Sequence, residues 1–113
     1  MSAEEWQPVC RFSALEPERG VAALVHGRAV ALFRTHDGRL HALDNYDPFA
    51  GASVLSRGIV GTRGDIPFVA SPVHKQAFDL RSGQCLDDDA VRVPTYAVSV
   101  VDGVVMVGAR RPR

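Results

Sequence analysis

Two Asp-Gly pairs, Asp37-Gly38 and Asp102-Gly103, each stand between short apolar runs. Both residue types tolerate positive φ, which tight hairpin turns require. Before the first pair lie "VAALVHG" (21–27) and "RAVALFRT" (28–35), joined by a turn at His26-Gly27; after it comes "LHALD" (40–44). The spacing predicts a three-stranded meander from Val21 to Asp44. Around the second pair, "YAVSVVDGVVMVG" reads as two strands, with Tyr96, Val98 and Val100 on one face at period two. The opposite face, Ala97, Ser99 and Val101, is less apolar. Phe68–Ser71 and Gln76–Leu80 are two more strands, and Arg81–Gln84 turns around Gly83. No segment carries an apolar stripe over three helical turns; the best candidate is a turn or two within residues 52–58. The pattern predicts an all-β chain of seven to nine short strands, a small antiparallel β-sandwich or partly open barrel.

The chain has 113 residues, 46% apolar and 23% charged, enough for one domain with one core and no staples. Residues 6–108 are expected to form that core domain and residues 109–113 a solvated basic tail. Net charge is zero and the arginines are scattered, so no nucleic-acid partner is expected. No run of about 18 apolar residues exists, so no membrane span is expected. The acidic start lacks an apolar signal core, which points to the cytoplasm. Cys10 and Cys85, far apart and without C-x-x-C spacing, are expected as free, buried, inert thiols.

Two irregular stretches interrupt the strands, Asn45–Gly58 and Ser71–Lys75, and loops of this kind on a β-scaffold carry function. Other features read as ordinary surface. His26, His36 and His41 are expected at turns or on the solvent face. Asp87-Asp88-Asp89 lacks the spacing of a calcium loop and reads as a solvated bend. "RGD" at 63–65 reads as a turn between strands. "GTRG" has neither the lysine nor the helix of a phosphate loop.

The order of meander, loop, strand, loop, "FDLRSG" hairpin and terminal Asp-Gly hairpin resembles the Rieske ferredoxin domain from Trp6 to Gly108. In that family the first loop supplies Cys-x-His and the second Cys-x-x-His to a two-iron, two-sulfur cluster. Matched onto this chain, those positions hold Asn45 and Asp47, then Ser71 and His74. Three of the four ligands are gone, and one histidine cannot hold a cluster. The resemblance therefore implies a Rieske-like fold without a bound cluster.

Three adjacent motifs narrow the resemblance: "ALDNYDPF" (42–49), "SVLSRGIV" (53–60) and "VASPVHKQAFDLRSGQCLDDD" (69–89). They resemble the small subunit of assimilatory NAD(P)H-dependent nitrite reductase, a Rieske-like family lacking the cluster ligands. In that family lysine is common at position 74, so His74 reads as variation rather than as a surviving ligand. Ala50 and Ala77 depart from the family pattern, which often has a second aromatic and a larger residue there.

This resemblance implies a non-catalytic subunit that supports reduction of nitrite to ammonium in nitrate assimilation. No catalytic, cofactor-binding or metal-binding residue is expected in this chain. FAD, an iron–sulfur cluster and sirohaem are expected in the large partner subunit. Tyr46, Asp47, Phe49, Pro72, His74 and Lys75 are the expected docking face. Two alternatives stand beside this reading. A Rieske-type electron-transfer ferredoxin would purify brown. A redox-inactive interaction module on the same scaffold would co-purify without a sirohaem protein.

Overall fold

In the computed structural model, which describes residues 6–111, the turns are built as their residues dictate. His26 and Gly27 (φ 49° and 78°) and Asp102 and Gly103 (φ 51° and 77°) are left-handed at both central positions, the pattern of a type I′ hairpin. In the Gly64-Asp65 turn only Gly64 is left-handed, as the first position of a II′ turn requires. The Asp37-Gly38 turn closes the expected hairpin by a wider loop. Only Gly38 is left-handed (φ 83°). The Asp37 carboxylate explains the wider loop, since it accepts from Thr35 Oγ1 at 2.5 Å and from the Arg39 N–H at 3.2 Å.

The strands are β1 (Gln7–Arg11), β2 (Arg19–Val25), β3 (Arg28–Arg34), β4 (Leu40–Asp44), β5 (Tyr46–Asp47), β6 (Ala52–Ser53), β7 (Ile59–Arg63), β8 (Ile66–Ala70), β9 (Ala77–Asp79), β10 (Tyr96–Val101) and β11 (Val104–Arg110). Phe12–Ala14 and Leu55–Arg57 are single 3-10 turns, the second inside the segment read as the best helical candidate. Eleven strands exceed the seven to nine expected. The surplus is β5 and β6, two residues each, paired with one another inside the first irregular loop.

Three antiparallel sheets are ordered β1–β11–β10, β2–β3–β4 and β7–β8–β9. The meander is the middle layer. Val30 and Leu32 of β3 face one core, with Leu15, Val25, Tyr96, Val105 and Val107. Ala31 and Phe33 face the other, with Leu43, Leu55, Val69, Phe78, Leu80 and Cys85. All four of these β3 residues are fully buried, so β3 is apolar on both faces and reads as a continuous run. The bridge Leu43↔Thr95 and the Asp44 N–H to Pro94 carbonyl bond (2.9 Å) tie β4 to the segment entering β10. Two cores on either side of a shared sheet replace the single core expected.

Two details correct the sequence reading of the C-terminal hairpin. The register of β10 against β11 slips between Tyr96 and Val98. Tyr96 is buried and Val98 packs on the core, but Val100 is 43% exposed, so the expected shared face ends before it. The basic tail also begins later than expected. Arg110 ends β11, the Arg111 N–H donates to the Thr95 carbonyl at 2.8 Å, and its Nη1 to the Arg81 carbonyl at 3.1 Å. Pro112 and Arg113 lie outside the described residues. No helix among the described residues is long and apolar enough to cross a membrane.

Candidate functional site

The two irregular loops meet at one end of the molecule, where β4 runs into β5 and β8 ends just before Ser71. Asn45, the first matched ligand position, is 4% exposed. Its Oδ1 accepts from the Ser56 N–H at 2.7 Å and its carbonyl from the Leu55 N–H at 3.1 Å. The side chain thus closes the first loop on itself across eleven residues.

Asp47, the second position, is 0% exposed. Oδ1 accepts from the N–H groups of Phe49 (2.9 Å) and Ala50 (3.3 Å), an Asx-type turn that Pro48 favours by its preset φ. Oδ2 accepts a short hydrogen bond from Ser71 Oγ, across the gap between the loops. Ser71, the third position, is 1% exposed. Its N–H donates to the Gln76 carbonyl, its carbonyl accepts from the Lys75 N–H (both 3.0 Å), and its Oγ accepts from the Val73 N–H at 3.2 Å. A serine–aspartate latch therefore joins the loops where two ligands of an iron–sulfur cluster would stand.

That arrangement does not fit a cluster. The three buried positions present oxygen or amide groups already committed to hydrogen bonds, and an iron–sulfur cluster needs soft thiolates. His74 alone has ligand chemistry, and it is exposed. Among the described residues no group of three or more His, Cys, Asp or Glu is placed to hold a metal ion. Cys85 is buried in the core beside Phe78, and Cys10 is half-buried rather than fully buried, with burial pushing its thiol pKa up.

The six residues of the expected docking face separate into two groups. Tyr46 (47% exposed), Pro72, His74 and Lys75 form the rim of the loop pair. Asp47 lies beneath it, fully buried, with its carboxylate bonded to Ser71. Phe49 is half-buried, with its ring 6.2 Å from that of Phe78, so it anchors the first loop to the core. Pro48 and Val73, the latter 52% exposed, also stand on the rim. Their position in loops already suspected of function was the available signal.

Asp87 is more than a solvated bend: its Oδ2 accepts from the Ala77 N–H at 2.8 Å and its Oδ1 faces Arg63 at 3.3 Å. The Ala77 N–H bond holds its pKa below the ordinary carboxylate value. His26 and His36 are exposed in turns as expected. His41 is not. It sits half-buried in β4, beside a cavity of about 110 Å³ that also touches Glu18, Asp37, Arg39, Asp65 and Arg81. His41 Nε2 and Glu18 Oε2 are buried there without a hydrogen-bond partner among the described residues. Burial lowers the His41 pKa despite the carboxylates of Asp37 and Asp79. Burial works against the Asp79 carboxylate, but the Arg81 hydrogen bonds (3.0–3.1 Å) and charge outweigh it and keep its pKa low. This cavity lies at the end of β4 opposite the loops.

Residues 5–108 match the model of the Rieske-like [2Fe-2S] domain family. The chain is 42% identical over 104 residues to the nitrite reductase (NADH) small subunit of Salmonella typhimurium, covering 91% of this chain and 96% of that one. A crystal structure of a small subunit from Mycobacterium tuberculosis, assigned to an NADH-dependent nitrite reductase, superposes with a TM-score of 0.89 at 49% identity, covering 96% of each chain. The chain also matches part of the nitrite reductase [NAD(P)H] large subunit of Klebsiella oxytoca. That match is 39% identical over 108 residues, 96% of this chain but 11% of that protein.

Proposed function

Because this chain belongs to the Rieske-like [2Fe-2S] domain family, and within it to the small subunits of nitrite reductase, we propose that it serves its enzyme by docking rather than by electron transfer. The observation that carries this reading is the latch between Asp47 and Ser71. Two buried side chains hold the loops together by hydrogen bonding at positions where the wider family grips iron. Electrons passing from NAD(P)H to nitrite would then travel through the large subunit alone.

Reduction of nitrite to ammonium takes six electrons. It needs a flavin to split hydride pairs into single electrons and a sirohaem and iron–sulfur centre to deliver them. FAD, the cluster and sirohaem are assigned by this reading to the large subunit. The small subunit works in the cytoplasm, in nitrate assimilation, as a single domain with its core at residues 6–108. Its rim of Tyr46, Pro48, Pro72, Val73, His74 and Lys75 is the face offered to the partner. In the Klebsiella oxytoca relative a domain of this kind is part of the large-subunit chain itself, which supports a stable association between the two.

The test is reconstitution. The large subunit is produced with and without this chain, and nitrite-dependent oxidation of NADH and NADPH is measured. Activity or yield of assembled large subunit should rise when the chain is present. Equal activity and equal yield in its absence would overturn the proposal.

A further inference from the structure

Of the thirteen Lys and Arg residues in this chain, Lys75 is the single lysine. It stands on the rim of the loop pair, exposed, with its backbone in the left-handed region at φ 64°. Lysine disfavours that region because its Cβ crowds the backbone, and glycine would occupy it freely. Of the three other non-glycine residues there, Glu18 shares the disfavoured geometry at φ 64°, while His26 and Asp102 belong to types that tolerate it and stand in hairpin turns. Lys75 is instead locked in place from both sides: its N–H donates to the Ser71 carbonyl, and the Ser71 N–H donates to the Gln76 carbonyl. Ser71 is in turn held by Asp47. The whole latch therefore fixes the direction in which Lys75 leaves the surface.

Arg19, Arg39, Arg63 and Arg81 are each paired with a carboxylate. Lys75 makes no ion pair and no side-chain hydrogen bond among the described residues. Within residues 45–58 and 71–76 the only acid is Asp47, which is fully buried, while Lys75 and Arg57 are exposed. Among the rim residues themselves Lys75 is thus the one permanent charge, alongside the exposed apolar surface of Tyr46 and Val73.

We propose that Lys75 is the charged anchor of the docking face and pairs with an acidic patch on the nitrite reductase large subunit. This rests on the docking reading above. A preset backbone lowers the ordering cost of the contact, and an unpaired cation steers and orients the encounter.

The single lysine makes the test direct. A carbodiimide activates carboxylates, and an amine within contact distance displaces the activated group. One amide forms, and the carbodiimide takes up the oxygen lost as water to become a urea. In a mixture of this chain with its own large subunit, mass spectrometry should find Lys75 joined to an Asp or Glu of the partner. K75E should weaken binding at least about tenfold at low salt, K75R should retain most of it, and K75A should flatten its salt dependence. K75G should bind like K75A yet raise the Tm of the isolated chain by about 2 °C, since the strained Cβ is gone. A complex that forms normally with K75E and shows no Lys75 cross-link overturns the anchor while leaving the docking reading intact. A K75G chain with unchanged or lowered Tm overturns the strained-backbone argument. No complex with the wild-type chain overturns both.

Discussion

Asp47 has no exposed surface, yet its carboxylate takes hydrogen bonds from Phe49, Ala50 and Ser71, which belong to two separate loops. An acceptor so placed matters more by its absence than by its own contribution, because the buried Ser71 hydroxyl loses its partner once it is gone. D47A should therefore cost about 3 kcal/mol of stability, S71A about 1–2, and D47N less than D47A because an oxygen remains for the two backbone donors. Urea unfolding at constant m checks the order. If D47A and wild type share a midpoint, the latch is not structural. Asp47 and Ser71 are twenty-four residues apart. The sequence identified both as positions where ligands were missing, but their mutual bond depends on how β4 and β8 end side by side.

Elements are held in register by close backbone approach as much as by side chains. Gly20 in β2 faces the turn that ends the first loop. A Cβ built there would lie 2.3 Å from the Ser56 carbonyl oxygen and 2.6 Å from Phe33 Cε1. Neither neighbour can give way: the carbonyl belongs to the Leu55–Arg57 turn and Phe33 is fully buried in the second core. G20A should thus push the first loop off the meander and cost about 3 kcal/mol. Measured by thermal melting, it should be far worse than G27A, where nothing stands within 4 Å and only the φ of 78° opposes a side chain. Similar losses for both would mean that β2 does not pack on the loop as described.

Across the whole molecule, acid should weaken the fold in two stages. Burial depresses the pKa of His41 below 6.5, so the native state keeps it neutral while the unfolded chain takes up a proton. The unfolded state then holds more protons, and stability falls as pH drops below 6.5 toward the depressed value. Asp37, Asp79 and Asp87 are held below 3.8, so their contribution is present above that value and is lost as pH falls through their native pKa values. H41Q should remove the first stage and leave the second, as read from unfolding midpoints against pH. A first stage that survives H41Q would locate it elsewhere. Legibility divides along the same line. The hairpins at His26-Gly27 and Asp102-Gly103, the strand-length runs and the lack of cluster ligands were determined by the sequence alone. Turn chemistry acts over two residues, side-chain alternation over a strand, and a missing thiolate is missing in any conformation. The tertiary structure decided that β3 is buried on both faces, that Asp47 is interior, that His41 is half-buried, and that Lys75 is strained. Each of these depends on which distant segment packs against the residue, and burial and hydrogen-bond partners of that kind are set only when the layers close.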